Sequence, residues 1–443
     1  GGMVGMRISE KVVRIGLILM VALSIYFSYA IWLSPAGKSS INVDETNTQM
    51  IESQSNRKTS EVFLPLHVTW HHSGMIQETN SENLVYRLQL IIDKARFGKL
   101  SEVVSGDKSQ FEQVKNLNSG FELAYNAPFL LREYKEAFDL DLDVSNLAKE
   151  SENMYFTRIQ FDQGNKKIRF LNYSNHLVYE ANISLNWTDI NKELTAKDTK
   201  WTEMTTEPST IDTQYATKHS IKLKKYSYIL SQQPYTLFRN AFFQKPDSVK
   251  NNDESNELIF YGGNETMSIH SETQVVDFRG ELPEKKENAS VFSESFPYIS
   301  KLGSSLGNLR YFDRSDNTID YRIFVEGFPV FGTDSRGQIG VEVGGETNGS
   351  VQVNIQTSLN TIQVPIPSDE EVELASTNEI IQQLKAKGAD SNKIGSVIVG
   401  YTWQNVKETN RVVDLLPEWY VKYKDNWYSA NDLLEKLPGL EAN

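Results

Sequence analysis

Six short stretches of the 443-residue chain carry residue types that can do chemistry. His67-x-x-x-His71-His72 has the i,i+4 spacing by which a helix offers two imidazoles to one metal ion. The surrounding Val62-Phe-Leu-Pro-Leu-His-Val-Thr-Trp70 is apolar enough to be a strand, however, and a strand sets His67 and His71 about 13 Å apart on one face. Gly303-Ser-Ser-Leu-Gly307 matches the G-x-S-x-G nucleophile elbow, which needs a strand-turn-helix and a later acid and histidine. No histidine follows His270, so the stretch reads as a helix end or turn. Ser105-Gly-Asp-Lys108 and Ser315-Asp-Asn317 imitate two motifs of penicillin-recognising serine enzymes, but the Lys-Thr-Gly that completes the set is missing. The second reads as a hairpin turn. Val343-Gly-Gly-Glu-Thr-Asn-Gly349 lacks the Lys-Ser/Thr and helix start of a phosphate loop and reads as a loop between strands. Asp369, Glu370 and Glu371 read as a solvated face. The expectation is a protein that is not an enzyme, with no cofactor and no metal.

The elements that would position such groups follow from patterning. Thr79-x-x-Glu82 has capping-box spacing, and Leu84, Val85, Leu88, Ile91, Ile92 and Ala95 recur at helical intervals before Gly98, a candidate stop. Tyr155 to Phe161, Lys167 to Tyr173 and Leu177 to Ile183 predict an antiparallel meander. A polar stretch from Asn186 to Asp212 suggests a boundary near 200. His219 to Leu230 predicts a strand, and Gln233 to Phe243 a helix with Pro234 in its first turn. Strands are expected over Leu258 to Tyr261, Thr266 to His270 and Val275 to Arg279.

After the charged stretch Glu281 to Asn288 a similar order returns. A helix over Phe292 to Leu306 is interrupted at Pro297, and strands follow at Leu309 to Asp313, Thr318 to Glu326 and Phe328 to Gly332. Gln338 to Val343 and Val351 to Gln356 alternate in the manner of half-wet strands. Ser376-x-x-Glu379 opens a helix that stops before Gly388; Ile394 to Val406, Arg411 to Leu415 and Glu418 to Lys424 complete the set. The fold class expected is α+β, with antiparallel sheets and helices packed on them in units at 61–200, 201–288 and 289–443, the last two on one plan.

One stretch decides where these units reside. Ile15 to Leu33 has no ionisable group apart from two tyrosine hydroxyls, and its residues as a helix cover about 28 Å, enough to cross a hydrocarbon core of ~30 Å. Arg7, Lys11 and Arg14 precede it and only Glu10 opposes them, so residues 1–14 are expected in the cytoplasm and roughly 410 residues outside. Arg14, Tyr29 and Trp32 suit membrane-interface anchoring, and Ser24-x-x-x-Ser28 puts two small residues on one helical face, a pattern that permits close helix contact. Ser34-Pro35-Ala36 offers a cleavage site, but the apolar run is longer than a secretory core of about 7 to 15 residues, so the span is read as retained. Residues 34–60 form a polar linker.

A net charge of −13 argues against nucleic acid as a partner, and the absence of cysteine rules out disulfides and thiolate metal sites. An exported chain of this composition suits a Gram-positive cell surface.

The basic N-terminus with its single span, Tyr228-Ile-Leu-Ser-Gln-Gln-Pro-Tyr-Thr-Leu-Phe-Arg-Asn-Ala-Phe-Phe243, Asp320-Tyr-Arg-Ile-Phe-Val-Glu-Gly-Phe-Pro-Val-Phe331 and Leu416-Pro-Glu-Trp-Tyr-Val-Lys-Tyr423 together resemble the YycH (WalH) family, regulators of the WalK (YycG) sensor histidine kinase. The resemblance implies a single-pass cell-membrane protein with about three extracytoplasmic domains, the last two PepSY-like. It also implies a role without chemistry of its own, in which a WalK-like kinase and a YycI-like single-span sister protein are the partners and cell-wall homeostasis is the context. The alternative is an extracytoplasmic module that senses a wall fragment or peptide through clefts between its α+β units.

Overall fold

Alternation at period two builds the first sheet, because successive strand residues face opposite sides. The computed structural model describes residues 13, 15–26, 56–148, 154–282, 288–347 and 349–442. Among them the first sheet has ten strands, all antiparallel. Its order is Ala216–Thr217, Thr202–Thr205, Met75–Thr79, His67–His72, Gly120–Leu130, Tyr155–Asp162, Lys167–Asn172, Leu177–Ser184 and Arg96–Phe97, with Ser101–Ser105 also paired to Leu177–Ser184. The expected meander is present at Tyr155–Asp162, Lys167–Asn172 and Leu177–Ser184.

Local chemistry explains where expectation and structure part. The strand expected from Val62 begins at His67, and Thr59–Val62 is a helical turn instead. The helix Glu82–Ile92 is capped by Ser81, whose side chain accepts from the Leu84 N–H, while Thr79 remains in a strand. The helix stops at Ile92 with Asp93 as its cap, not at Gly98. Gly98 serves a close crossing: its N–H donates to the Asn182 carbonyl at 2.8 Å, and a Cβ would lie 3.3 Å from that of Asn182. The polar stretch after 186 holds a helix, Trp187–Leu194, with Asn186 capping the Asp189 N–H and only Ile190 and Leu194 buried. Two apolar positions are too few to show a period.

The second sheet has fourteen strands among the described residues and takes in both later segments, for Val275–Glu281 pairs with Ser350–Ser358. The stretch expected as one strand over 219–230 is two: Ile221–Lys224 pairs with Glu371–Leu374 in a ribbon, and Tyr226–Gln232 lies between Val412–Tyr423 and Asn360–Ile366. Conversely, the two strands expected at 411–415 and 418–424 are one, Val412–Tyr423. It tolerates Pro417 because, on the edge away from Ile394–Asn405, the ladder with Tyr226–Gln232 ends at Leu415 and the one with Asn426–Ser429 begins only at Tyr420, so position 417 falls in the gap. The glycine-rich loop is mostly ladder too, since Gln338–Thr347 and Ser350–Ser358 form a hairpin with a bulge between Val343 and Glu346. Thr377–Ala386, capped by Ser376 as expected, packs with Ala430–Glu441 on the last strands around Leu384, Val421 and Leu433.

Residues 56–443 form one compact unit, and its core passes without a break from one sheet to the other. Phe63 stacks on Phe129 at 5.2 Å, Phe129 meets Phe292 edge-on at 5.0 Å, and Phe292 meets Tyr311 edge-on at 5.1 Å. Such pairs contribute about 1 kcal/mol each beyond the area they bury. Asn80 and Gly327 form a second joint. The hairpin between Thr318–Val325 and Phe328–Phe331 turns through Glu326 and Gly327 at φ +51° and +84°, the paired positive values of a tight two-residue turn. The Asn80 amide donates to the Gly327 carbonyl at 3.3 Å.

Residues 15–26 are helical with exposed side chains and include Ser24. Arg14, Ser28, Tyr29 and Trp32 lie outside the described residues, as do 27–33 of the expected span and most of the linker. Among the described residues no helix is long and apolar enough to cross a membrane.

A Cβ at Gly327 would stand 1.8 Å from the Asn80 carbonyl oxygen. Gly327→Ala is therefore expected to destabilise the protein by about 2 kcal/mol, read as a fall in the urea midpoint with an unchanged slope.

Candidate functional site

The first sheet has one dry face and one polar face, and a single register separates them. Along one line of directly paired residues run Thr202, Glu78, Thr69, Glu122, Gln160, Arg169, Glu180 and Ser101. One residue over, on the opposite face, the line reads Val68, Leu123, Ile159, Phe170 and Tyr179, all buried in the core.

Glu122 is the centre of the polar face, and its side chain is wholly buried. Its Oε2 accepts from the Tyr215 hydroxyl at 2.7 Å, lies 2.8 Å from His71 Nε2 and 3.6 Å from Arg158 Nη1. Arg158 Nη1 donates to Thr69 Oγ1 at 3.2 Å, and Thr69 Oγ1 donates to Glu78 Oε2 at 3.0 Å. The Arg158 guanidinium also lies 4.8 Å from the centre of the Tyr215 ring. Burial alone would raise the Glu122 carboxyl, but the His71 hydrogen bond, the Arg158 charge and the Tyr215 hydroxyl outweigh it and hold the group below its ordinary value. Burial alone would lower Arg158, but the Glu122 carboxylate together with Tyr173, Tyr215 and Glu78 outweighs it and moves the guanidinium up. Burial holds the His67 imidazole below its usual value, against the pull of Glu78.

Above this face lies a cleft of about 870 Å³. His67, Glu78, Arg158, Thr202 and Tyr215 contribute from the first sheet, the Glu326–Pro329 turn and Val397–Val399 from the second, and Trp201 and Lys222 from the segment between. The volume is that of a small-ligand or short-peptide site.

The residues singled out in the sequence do not assemble here into a catalytic centre. His67 and His71 lie on a strand, as expected, with His71 engaged by Glu122 and Tyr215 and His72 by Gln77. No group of three or more metal-ligating side chains occurs among the described residues. Gly303–Leu306 is a 3-10 turn with Ser304 and Ser305 exposed, not a strand-turn-helix elbow. Ser105 ends a strand in the first sheet, while Ser315-Asp-Asn317 is a hairpin turn in the second. Sequence reading missed Glu122, Arg158 and Tyr215. The signal was there: Phe-Glu-Leu and Thr-Arg-Ile each set one charge inside an apolar strand, the mark of a buried pair on neighbouring strands.

Residues 10–201 match the profile of the YycH protein, N-terminal domain, and residues 212–436 that of the YycH protein, C-terminal domain. Among solved structures the chain is similar to the crystal structure of YycH from Bacillus subtilis, with 16% identity, a TM-score of 0.65, and coverage of 85% of this chain and 97% of that one. At that identity the likeness concerns the fold. No curated protein sequence matches the chain.

The network predicts a pH signature. A carboxyl held below its ordinary 4.5 in the folded state stabilises the fold fully above that value, and the contribution is lost as pH falls through the folded-state value. Glu122→Gln leaves Arg158 without its buried counter-charge and is expected to cost about 3 kcal/mol at neutral pH. The gap to the unaltered protein should narrow below pH 4.5 in urea titrations at a series of pH values.

Proposed function

Because the chain belongs to the YycH family, we propose that it is a non-enzymatic, membrane-anchored regulator of a WalK-like, cell-wall-sensing histidine kinase. In this reading it acts with a YycI-like single-span sister protein through transmembrane and extracytoplasmic contacts. The observation that carries the reading is the extent of the match, which begins at residue 10, takes in the apolar run Ile15 to Leu33 and continues to residue 436.

Three further points support it. The run after Arg7, Lys11 and Arg14 has the length and flanking charge of a retained single span, which puts the N-terminus in the cytoplasm and the two sheets outside. The residues that imitate enzyme motifs sit on turns and strand ends far apart in the chain. A face carrying Ser24 and Ser28 would let a partner helix approach closely. The exported part is read as three α+β units, 61–200, 201–288 and 289–443, with a PepSY-like plan in the last two.

The test is recovery of the kinase and the sister protein with the tagged full-length chain from membranes. Both should co-purify, and Ser24→Leu combined with Ser28→Leu should lower recovery about threefold or more. Unchanged recovery removes that helix face from the reading, and no recovery with the unaltered chain removes the regulator role. Residues 6–38 expressed alone separate the contributions: a full effect on kinase output places the signal in the helix, and none places it in the exported body.

A further inference from the structure

We propose that the cleft is a binding site for an extended, cationic peptide segment, which docks its backbone on Val399 and its positive side chain between Asp212 and Glu326.

The argument begins with an interrupted ladder. Phe328–Phe331 runs parallel to Ile394–Asn405, paired at Val330–Tyr401 and Phe331–Thr402. One step further the ladder would ask residue 329 to donate its N–H to the Val399 carbonyl, and residue 329 is proline, which has none. Further along the same edge, Thr213 takes the place of a strand with its side chain: the Val397 N–H donates to Thr213 Oγ1 at 2.9 Å, and that hydroxyl lies 3.4 Å from the Val397 carbonyl. Val399 lies between these two stops. Alternation turns its N–H and C=O to the same edge as those of Val397 and Tyr401, and Thr213, Pro329 and Val399 all line the cleft. An incoming extended chain can supply the missing N–H and C=O, the way peptides add to open sheet edges.

Charge then selects the peptide. The lining carries six carboxylates, Glu78, Glu82, Asp198, Glu203, Asp212 and Glu326, against three cationic side chains, Arg158, Lys200 and Lys222. Four of the acids are engaged: Glu78 by Thr69, Glu82 by Arg310, Asp198 by Arg87 and Glu203 by Lys218. Asp212 and Glu326 have no ion-pair partner among the described residues. They flank the open stretch, Asp212 next to Thr213 and Glu326 in the turn that leads to Pro329. Lys422, which acts on Asp212 from a distance, is bonded to Asp313 at 2.9 Å. Phe328 is half-buried in the same lining, and an aromatic ring there can attract an ammonium or guanidinium group.

The experiment uses the full-length chain and the capped pentapeptide Ala-Ala-Lys-Ala-Ala with a fluorescent label, read by anisotropy, with the glutamate analogue as counterpart. Saturable binding of the lysine peptide is expected, with the glutamate peptide at least ~10-fold weaker. Asp212→Asn with Glu326→Gln should weaken lysine-peptide binding ~10-fold or more. Pro329→Ala restores the N–H that closes the edge, so it should also weaken binding while the thermal midpoint holds or rises. Circular dichroism confirms that each variant is folded. The proposal is overturned if the lysine peptide shows no saturable binding up to about 1 mM, if both peptides bind alike, or if folded variants bind as the unaltered chain does. The kinase takes no part in the measurement, so failure here leaves the regulator reading standing, and failure of co-purification leaves this one standing.

Discussion

The register of the first sheet is the constraint on which the rest depends. Eight strands agree on one line of polar residues, and one step away the five central strands carry the apolar line Val68, Leu123, Ile159, Phe170 and Tyr179. Because side chains alternate, slipping a single strand by one residue would exchange the two faces for that strand. For Gly120–Leu130 it would drive Glu122 into the layer of Val68, Ile159 and Phe170 and leave Phe121 and Leu123 facing the cleft. A carboxylate stranded there costs several kcal/mol, a large part of a domain's whole stability. The polar network therefore specifies the fold by making its nearest alternatives expensive, in addition to whatever it contributes directly.

The second sheet inherits its position from the first through groups that reach across. The aromatic chain Phe63, Phe129, Phe292 and Tyr311 is one part of that seam. Arg310 is the other: fully buried on the second sheet, it donates from Nη2 to the carbonyls of Leu64 and Pro65 at 3.2 and 2.5 Å and approaches Glu82 at 3.6 Å. Burial lowers its affinity for the proton, with Glu82 opposing. Among the described residues its Nε and Nη1 have no hydrogen-bond partner, so the guanidinium is held by position more than by saturation. The cleft is the space left where this seam stops, with Asn80 and Gly327 touching at one end of it.

Much of the architecture was legible from the chain, and the exceptions have physical reasons. The alternating runs Gln338 to Val343 and Val351 to Gln356, and the helix capped by Ser376, stood where period and capping put them. Ser81 and Thr79 are both competent caps, and only the strand pairing of Thr79 with Val68 decides between them. A helix with two buried residues carries no periodic signal. The cleft was least legible of all, because His67, Arg158, Tyr215, Glu326 and Val399 are brought together by sheet order, which no local pattern encodes. The candidate nucleophiles erred in the opposite direction: their spacing is local and their context is not.

The pairing of Tyr226–Gln232 has a consequence for how the molecule is made. Both neighbours of this strand, Asn360–Ile366 and Val412–Tyr423, come from much later in the chain. The first sheet can close once residue 217 has emerged, since all its strands lie before that point. The second must wait nearly to the end of synthesis with an unsatisfied strand, and unpaired strands of this kind attract other chains. As the chain emerges, the strands of the first sheet are thus complete well before those of the second.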